Sequence, residues 1–351
     1  MSLTGVVKEA GFRALGSVLQ AGSSGRGLVS GLDAIALRGR PIPRVTRNRI
    51  PRFQILVYHR VLPDNDPFAM SPVSVSAFDR QMALLGSRFR VVSLDQLTDE
   101  LDAESLKPGT VCVTFDDGYR DNHDHAMPVL LKYGIPATIF LATGLIGTGE
   151  SSWYDKVLAI LRETRAGSLD FAPAGLRSAD LARPETRSAL AHRLLEWLKG
   201  FAPAERDDHI RDLGKSLGCG PEAASKAMLD WDLVRAMHAK GIAFGAHTVN
   251  HPILAKVGEA EMDAEIGASK AAIEKELQRE TRHFAYPNGR RGDYNADTIR
   301  LLKKHRFSLA LTTNPGVNGP EQDRFQLLRR QPWEDSVDSL FSRMLMERLT
   351  T

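Results

Sequence analysis

Short apolar runs that finish on polar residues recur along this chain, and a helix-like stretch follows most of them. Phe53-Gln-Ile-Leu-Val-Tyr-His59 is the first convincing strand, and Phe89-Arg-Val-Val-Ser93 is the second. Val111-Cys-Val-Thr-Phe115, Ala137-Thr-Ile-Phe-Leu-Ala-Thr143, Ile242-Ala-Phe-Gly-Ala-His247, Arg282-His-Phe-Ala-Tyr-Pro287 and Ser308–Thr313 continue the series, with Phe325–Arg330 as a last short strand. Helical spacing fills the gaps: Ser76 caps a helix with Phe78, Met82 and Leu85 on one face, and others cover Leu94–Leu101, Ala126–Tyr133, Trp231–Lys240, Glu259–Leu277 and Asn295–His305. Strand and helix alternating at short spacing predict parallel βα units, an α/β fold. The strand ends carry His59, Asp116, Asp117, Thr143, His247, Pro287, Asn288, Thr312 and Thr313. In a βα barrel the carboxyl ends of the strands form one face, so these residues would meet in one mouth.

Residues 151–230 break the rhythm. They hold helix-like segments at Lys156–Thr164, Ser188–Gly200 and Ala204–Leu217 and no strong strand, which predicts a mostly helical insertion. The expected organisation is an N-terminal helix and linker arm over 1–52, a barrel over 53–150 and 231–335, the insertion over 151–230, and a C-terminal helix over 336–351. With a net charge of only +3 spread along 351 residues, there is no basic stripe for nucleic acid. The two cysteines, Cys112 and Cys219, are far apart and predict no disulfide. No apolar run approaches a membrane span of about 18 residues. Lys8, Glu9 and Arg13 interrupt the place where a secretory signal would have its apolar core. Residues 4–20 read instead as an amphipathic helix, packed on the domain or resting weakly on a membrane surface. The expected location is cytoplasmic, at the inner membrane face.

Two motifs carry chemistry. Thr114-Phe-Asp-Asp-Gly118 stops a strand at two adjacent carboxylates, and the glycine lets the chain turn with φ > 0 so that both face one space. Two such carboxylates repel unless a cation lies between them. His247-Thr-Val-Asn-His251 places two histidines at i and i+4, which on one helical turn point both rings at a single metal. Two histidines and one carboxylate leave positions open for water and substrate on Zn2+ or a similar divalent ion, and the spare carboxylate is placed to act as general base. Spacing alone does not say which aspartate does which.

Together with Arg282-His-Phe-Ala-Tyr-Pro287, these motifs resemble, in order and over about residues 53–333 without the insertion, the NodB-homology polysaccharide deacetylases, carbohydrate esterase family 4. Leu56-Val-Tyr-His-Arg60 resembles the branch that deacetylates poly-N-acetylglucosamine during exopolysaccharide synthesis. The resemblance implies a distorted (β/α)7 barrel that hydrolyses N-acetyl groups from sugars and releases acetate. It implies Asp116 as catalytic base, Asp117 on the metal with His247 and His251, Arg282 paired with Asp116, and the Tyr119 backbone N–H as oxyanion donor. Zn2+ is the metal implied, with Co2+ or Ni2+ as substitutes. Many members carry a late Leu-x-x-x-His whose histidine protonates the leaving amine. Here that region reads Leu309-Ala-Leu-Thr-Thr-Asn314, so His59 is the expected acid.

Trp153, Tyr154, Tyr286 with Pro287, and Trp333 are expected to meet sugar rings at the mouth. Asp155 is expected behind the site or as a helix cap. His123 and His125 belong to the next helix, and His283 points away. The expected partner is an N-acetylated glycan: polysaccharide, oligosaccharide or lipid-linked precursor. Two other readings are an amidohydrolase for a small C–N bond substrate and a non-catalytic carbohydrate-binding protein of the same fold. The presence of all three metal-ligand candidates argues against the second.

Overall fold

The computed structural model describes residues 51–332, apart from 65, 67, 70 and 221–226, together with 339, 340, 343 and 344. The expected N-terminal helix and its membrane contact, Trp333 and most of the C-terminal helix lie outside the described residues.

In chain order the elements are β1 (Gln54–Tyr58), β2 (Arg60–Leu62), β3 (Pro72–Ser74), α1 (Val75–Arg88), β4 (Arg90–Val91), α2 (Leu94–Asp102), β5 (Thr110–Phe115), α3 (Met127–Tyr133) and β6 (Ala137–Leu141). Then come α4 (Trp153–Glu163), β7 (Ser168–Phe171), β8 (Leu176–Asp180), α5 (Pro184–Leu198), α6 (Pro203–Leu217), α7 (Trp231–Ala239), β9 (Ala243–Ala246), α8 (Glu259–Leu277), β10 (His283–Ala285), α9 (Ala296–Lys304) and β11 (Leu309–Leu311). Ser74, not Ser76, caps α1, accepting from the Ala77 N–H. His123 and His125 lie in a single π-helical turn before α3, as part of that helix's run-in.

The main sheet runs β1-β5-β6-β9-β10-β11, all parallel, with β4 paired to the start of β5. A parallel sheet covered on both faces needs strands that are apolar throughout, and all six residues of β5 are buried. Alternation sorts them: Val111, Val113 and Phe115 pack outward on the helices, while Cys112 faces an inner cluster with Ile55, Phe140 and Leu309. Both thiols are free.

The sheet curls until its edges meet. Leu327 bridges Leu311 in parallel on one side and Arg330 bridges Leu56 on the other. The Arg330 N–H donates to the Ile55 carbonyl, and the Val57 N–H to the Arg330 carbonyl, each at 2.8 Å. The expected last strand is therefore a closing strip between β11 and β1, and the barrel fold implied by the motifs is the fold observed.

The insertion is not free of strands. β7 and β8 form an antiparallel hairpin on three helices. Its amphipathic strands are too short to signal above the flanking helices. Trp153, Val157, Leu161, Leu194 and Leu213 belong to a separate apolar cluster there. Its C-terminal end fastens to one turn of the barrel: the Leu229 N–H donates to Gly118 O (2.9 Å) and the Arg120 N–H to Ala227 O (2.7 Å). No helix among the described residues is long and apolar enough to cross a membrane.

Candidate active site

β5 points Thr114 inward, and Asp116, two residues on, continues that face. The chain then turns through positive φ at Asp117 (78°) and Gly118 (87°), which swings the second carboxylate back to the same side. Glycine is needed at 118 for a second reason: a Cβ there would meet Leu141 Cδ2 at 2.7 Å.

The histidine motif is not a helical turn. It is an irregular loop after β9, with positive φ at Thr248 (66°) and His251 (56°). Buried Glu265 from α8 holds the loop, accepting the Val249 and Asn250 N–H groups at 2.8 and 2.9 Å and the Asn250 side chain at 2.7 Å. Thr248 Oγ1 accepts the His251 N–H at 3.0 Å. Non-glycine residues held in this region are strained and persist where the surroundings over-determine them. The strain here brings both rings to Asp117.

His247 Nε2 lies 3.1 Å from His251 Nε2, and the two stand 3.4 and 3.5 Å from Asp117 Oδ1. His247 Nδ1 donates to the Ala285 carbonyl at 2.7 Å, which aims its Nε2 into the triangle. Burial and the neighbouring His247 push His251 down to about 3, which keeps it neutral and fit to coordinate. Burial lowers His247 too, but the hydrogen bond to Asp117 and the Asp116 charge outweigh it and raise it. Burial likewise opposes ionisation of Asp117, and His247 and His251 overcome it. Tetrahedral coordination at about 2.0–2.1 Å separates donors by roughly 3.3 Å. The observed triangle of two imidazoles and a carboxylate has that size, and its three residues are the group among those described that could hold a metal.

Asp116 is paired, but not with Arg282. Arg329, 1% exposed on the closing strip, grips it with both arms: Nη1 to Oδ1 at 2.7 Å and Nη2 to Oδ2 at 2.6 Å. Arg329 Nε also donates to Thr312 O at 2.7 Å. Burial pushes the Asp116 carboxyl up, yet the Arg329 guanidinium and His247 hold it below the ordinary value. Arg282 precedes β10 and so sits at the opposite end of the parallel strands. There its guanidinium reaches Asp99 at 3.0 Å. His283 points away from the site, to Thr98 Oγ1 at 3.0 Å.

A cavity of about 320 Å³ joins these groups. Asp116, Asp117, His247, His251 and His59 line it, with Trp153 and Tyr154 from α4, Asn288 and Arg290 from the loop after β10, and His192, Glu196 and Lys199 from the α5 end of the insertion. His59 ends β1; its Nδ1, the Trp153 indole nitrogen, His251 Nδ1 and Asn288 Nδ2 are buried without a hydrogen-bond partner among the described residues. Tyr154 meets the His251 ring edge-on at 5.4 Å. Trp153 is at the cavity, but Arg206 covers its ring at 4.5 Å. Tyr286 is not at the mouth: it is buried, stacked on Tyr294 at 4.1 Å, and donates to Phe325 O. Pro287 is also buried and does not line the cavity. Tyr286 shares the outward face of Phe284, in the cluster under the helices, and the following loop delivers Asn288 and Arg290 to the cavity instead.

Among the described residues no acceptor takes the Tyr119 backbone N–H. The Tyr119 side chain turns into the insertion, donating to Asp155 at 2.9 Å, and Arg60 lies 4.3 Å above its ring. Asp155 also accepts from Ser152, the α4 cap, at 2.7 Å. Burial pushes the Asp155 carboxyl up to about 6.

Comparison with known proteins agrees with this architecture. The family described as polysaccharide deacetylase matches the chain over residues 103–310. The Bacillus subtilis protein YxkH is 23% identical over 280 residues, covering 79% of this chain and 70% of YxkH. Among solved structures, the Streptococcus pyogenes deacetylase PplD in complex with acetate aligns with a TM-score of 0.59 at 22% identity, over 84% of this chain and 99% of that one. IcaB from Ammonifex degensii aligns with a TM-score of 0.56 at 21% identity, over 84% and 97%. At these identities the structural likenesses establish the fold.

Proposed function

The chain belongs to the polysaccharide deacetylase family, and from that premise we propose that it is a metal-dependent hydrolase removing N-acetyl groups from N-acetylhexosamine units of a glycan or a lipid-linked glycan precursor. The observation that carries the reading is that the Asp117–His247–His251 triangle, the Arg329-paired Asp116 and His59 line one cavity. Asp117, His247 and His251 would hold the metal, Zn2+ by donor set and triangle size. Bound there, the metal supplies Lewis acidity toward the acetamide carbonyl and the attacking water.

The chain's own residues supply the proton transfers. Asp116, kept ionised and oriented by Arg329, takes a proton from the water whose oxygen adds to the acetamide carbon. The Tyr119 N–H, which no acceptor among the described residues takes, would steady the developing oxyanion. As the C–N bond breaks, His59 hands a proton to the nitrogen, and acetate and the free amine leave. The test is acetate release from chitooligosaccharides, poly-N-acetylglucosamine fragments and lipid- or nucleotide-linked sugars, with Zn2+, Co2+ or Ni2+ added after chelation. Activity that returns with metal on at least one of these substrates is expected. Silence on all of them by metal-loaded protein refutes the substrate class. His59→Ala at near-normal turnover with full metal content refutes the acid assignment.

A further inference from the structure

A second cavity, of about 440 Å³, opens on the insertion beside the catalytic one. Ala174 and Leu176 of the hairpin region and His192, Arg193, Glu196 and Trp197 of α5 line it. His192 and Glu196 also line the catalytic cavity. They are i and i+4 on α5 and therefore neighbours on one helix face. His192 and Glu196 thus form a ridge shared by the two cavities, between the catalytic groups and Trp197.

The Trp197 ring is half-buried and held in place from several sides. Phe171 meets it at 5.9 Å and 90°, Phe201 at 4.8 Å and 70°, and His209 at 4.7 Å and 54°. A fixed indole with part of its surface open presents a negative π-face, which attracts the polarised C–H bonds on the flat side of a pyranose. The rest of the lining suits the other side of a sugar, since exposed His192, Arg193 and Glu196 offer donors and acceptors to ring hydroxyls. Both cavities fall within the range of small-molecule sites, roughly 300–1,000 Å³. Arg290 of the barrel lies 3.6 Å from Glu196, tying the ridge to the rim of the catalytic cavity.

We propose that the insertion cavity is a second sugar-binding subsite, in which Trp197 stacks the unit adjoining the N-acetylhexosamine being deacetylated. The substrate is then a glycan of at least two linked units. This rests on the deacetylase reading above for the occupant of the catalytic cavity, but its test does not require turnover.

The full chain, metal-loaded, is titrated calorimetrically with N-acetylglucosamine, its disaccharide and its trisaccharide. Wild-type protein is expected to bind the longer sugars more tightly than the monosaccharide. Trp197→Ala is expected to weaken the longer ligands about tenfold and leave the monosaccharide unchanged, whereas Trp197→Phe, which keeps an aromatic face, retains most of the gain. Arg193→Ala lines only the outer cavity and leaves the ring packing alone. It should give a smaller loss with the same length dependence, which guards against a Trp197→Ala protein that folds poorly. Equal affinity for all lengths, or a Trp197→Ala loss that is the same for all, overturns the subsite. So does affinity that rises with a lipid tail on the monosaccharide and not with added sugars. Length-dependent binding through Trp197 without acetate release leaves the subsite standing and overturns the deacetylase reading instead.

Discussion

Replacing Arg329 by methionine tests the assignment of the paired arginine. The change removes both arms from Asp116 and leaves a carboxylate that is 1% exposed with no guanidinium beside it. Taking one partner from a buried ion pair costs about 3–5 kcal/mol. That is a large share of the roughly 5–15 kcal/mol that holds a protein folded. Arg282→Ala is the control. Its side chain is 27% exposed and Asp99 is 67% exposed, so that pair is worth at most about 1 kcal/mol. Urea unfolding of both variants, of Asp116→Asn and of the Arg329→Met/Asp116→Asn double variant gives the coupling directly. The double variant should be less damaged than the sum of the singles. Asp116 is held below its ordinary value in the fold, so its contribution is present above the unfolded value of about 3.9 and fades as the pH falls further. The stability gap of Arg329→Met should therefore narrow under acid. Acetate release should fall roughly 10²–10⁴-fold in Arg329→Met, the range for loss of a positioned base, with Arg282→Ala within about twofold of wild type. The reasoning is refuted if Arg282→Ala loses activity at full metal content, or if Arg329→Met keeps it.

Glu265→Ala removes the carboxylate that holds the His247–His251 loop, and metal affinity, read by competition with a chromophoric chelator, should drop about 10–100-fold; unchanged affinity would show that the loop holds its shape alone. Gly118→Ala forces a Cβ to within 2.7 Å of Leu141 at a φ of +87°, so the melting temperature should fall by several degrees, as for a loss of a few kcal/mol, and a neutral result would contradict the turn geometry. Asp155 is raised to about 6 in the fold against about 3.9 unfolded, so its contribution is full below the unfolded value and is lost as the pH rises through about 6. Asp155→Asn cannot ionise, and its stability relative to wild type should improve from about pH 4 to pH 7 by up to about 3 kcal/mol, measured by urea midpoints on chelated protein; a pH-independent difference refutes this.

What could be read in the sequence was what is local to one strand and the loop after it. The barrel, the Asp116–Asp117 turn and the convergence of His59 with His247 and His251 all follow from short apolar runs with polar ends. The histidine loop converged for a different reason than expected: positive φ at Thr248 and His251 and the reach of Glu265 replace the helical turn. Glu265 and Arg329 were missed because their contacts cross the fold; Arg329 lies 213 residues from Asp116 in sequence. Yet the two arginines could have been told apart on topology alone. In a parallel barrel only residues at the carboxyl ends of strands reach the site face. Arg282 stands before its strand and Arg329 stands at the end of the closing strip. Leu327 and Arg329, two residues apart, share one face of that strip, and Leu327 belongs to the inner cluster. An arginine in register with an inward leucine, at the site end of a barrel strip, must find a buried anion. Asp116, pointing inward from β5 with Thr114, is the anion that this register offers.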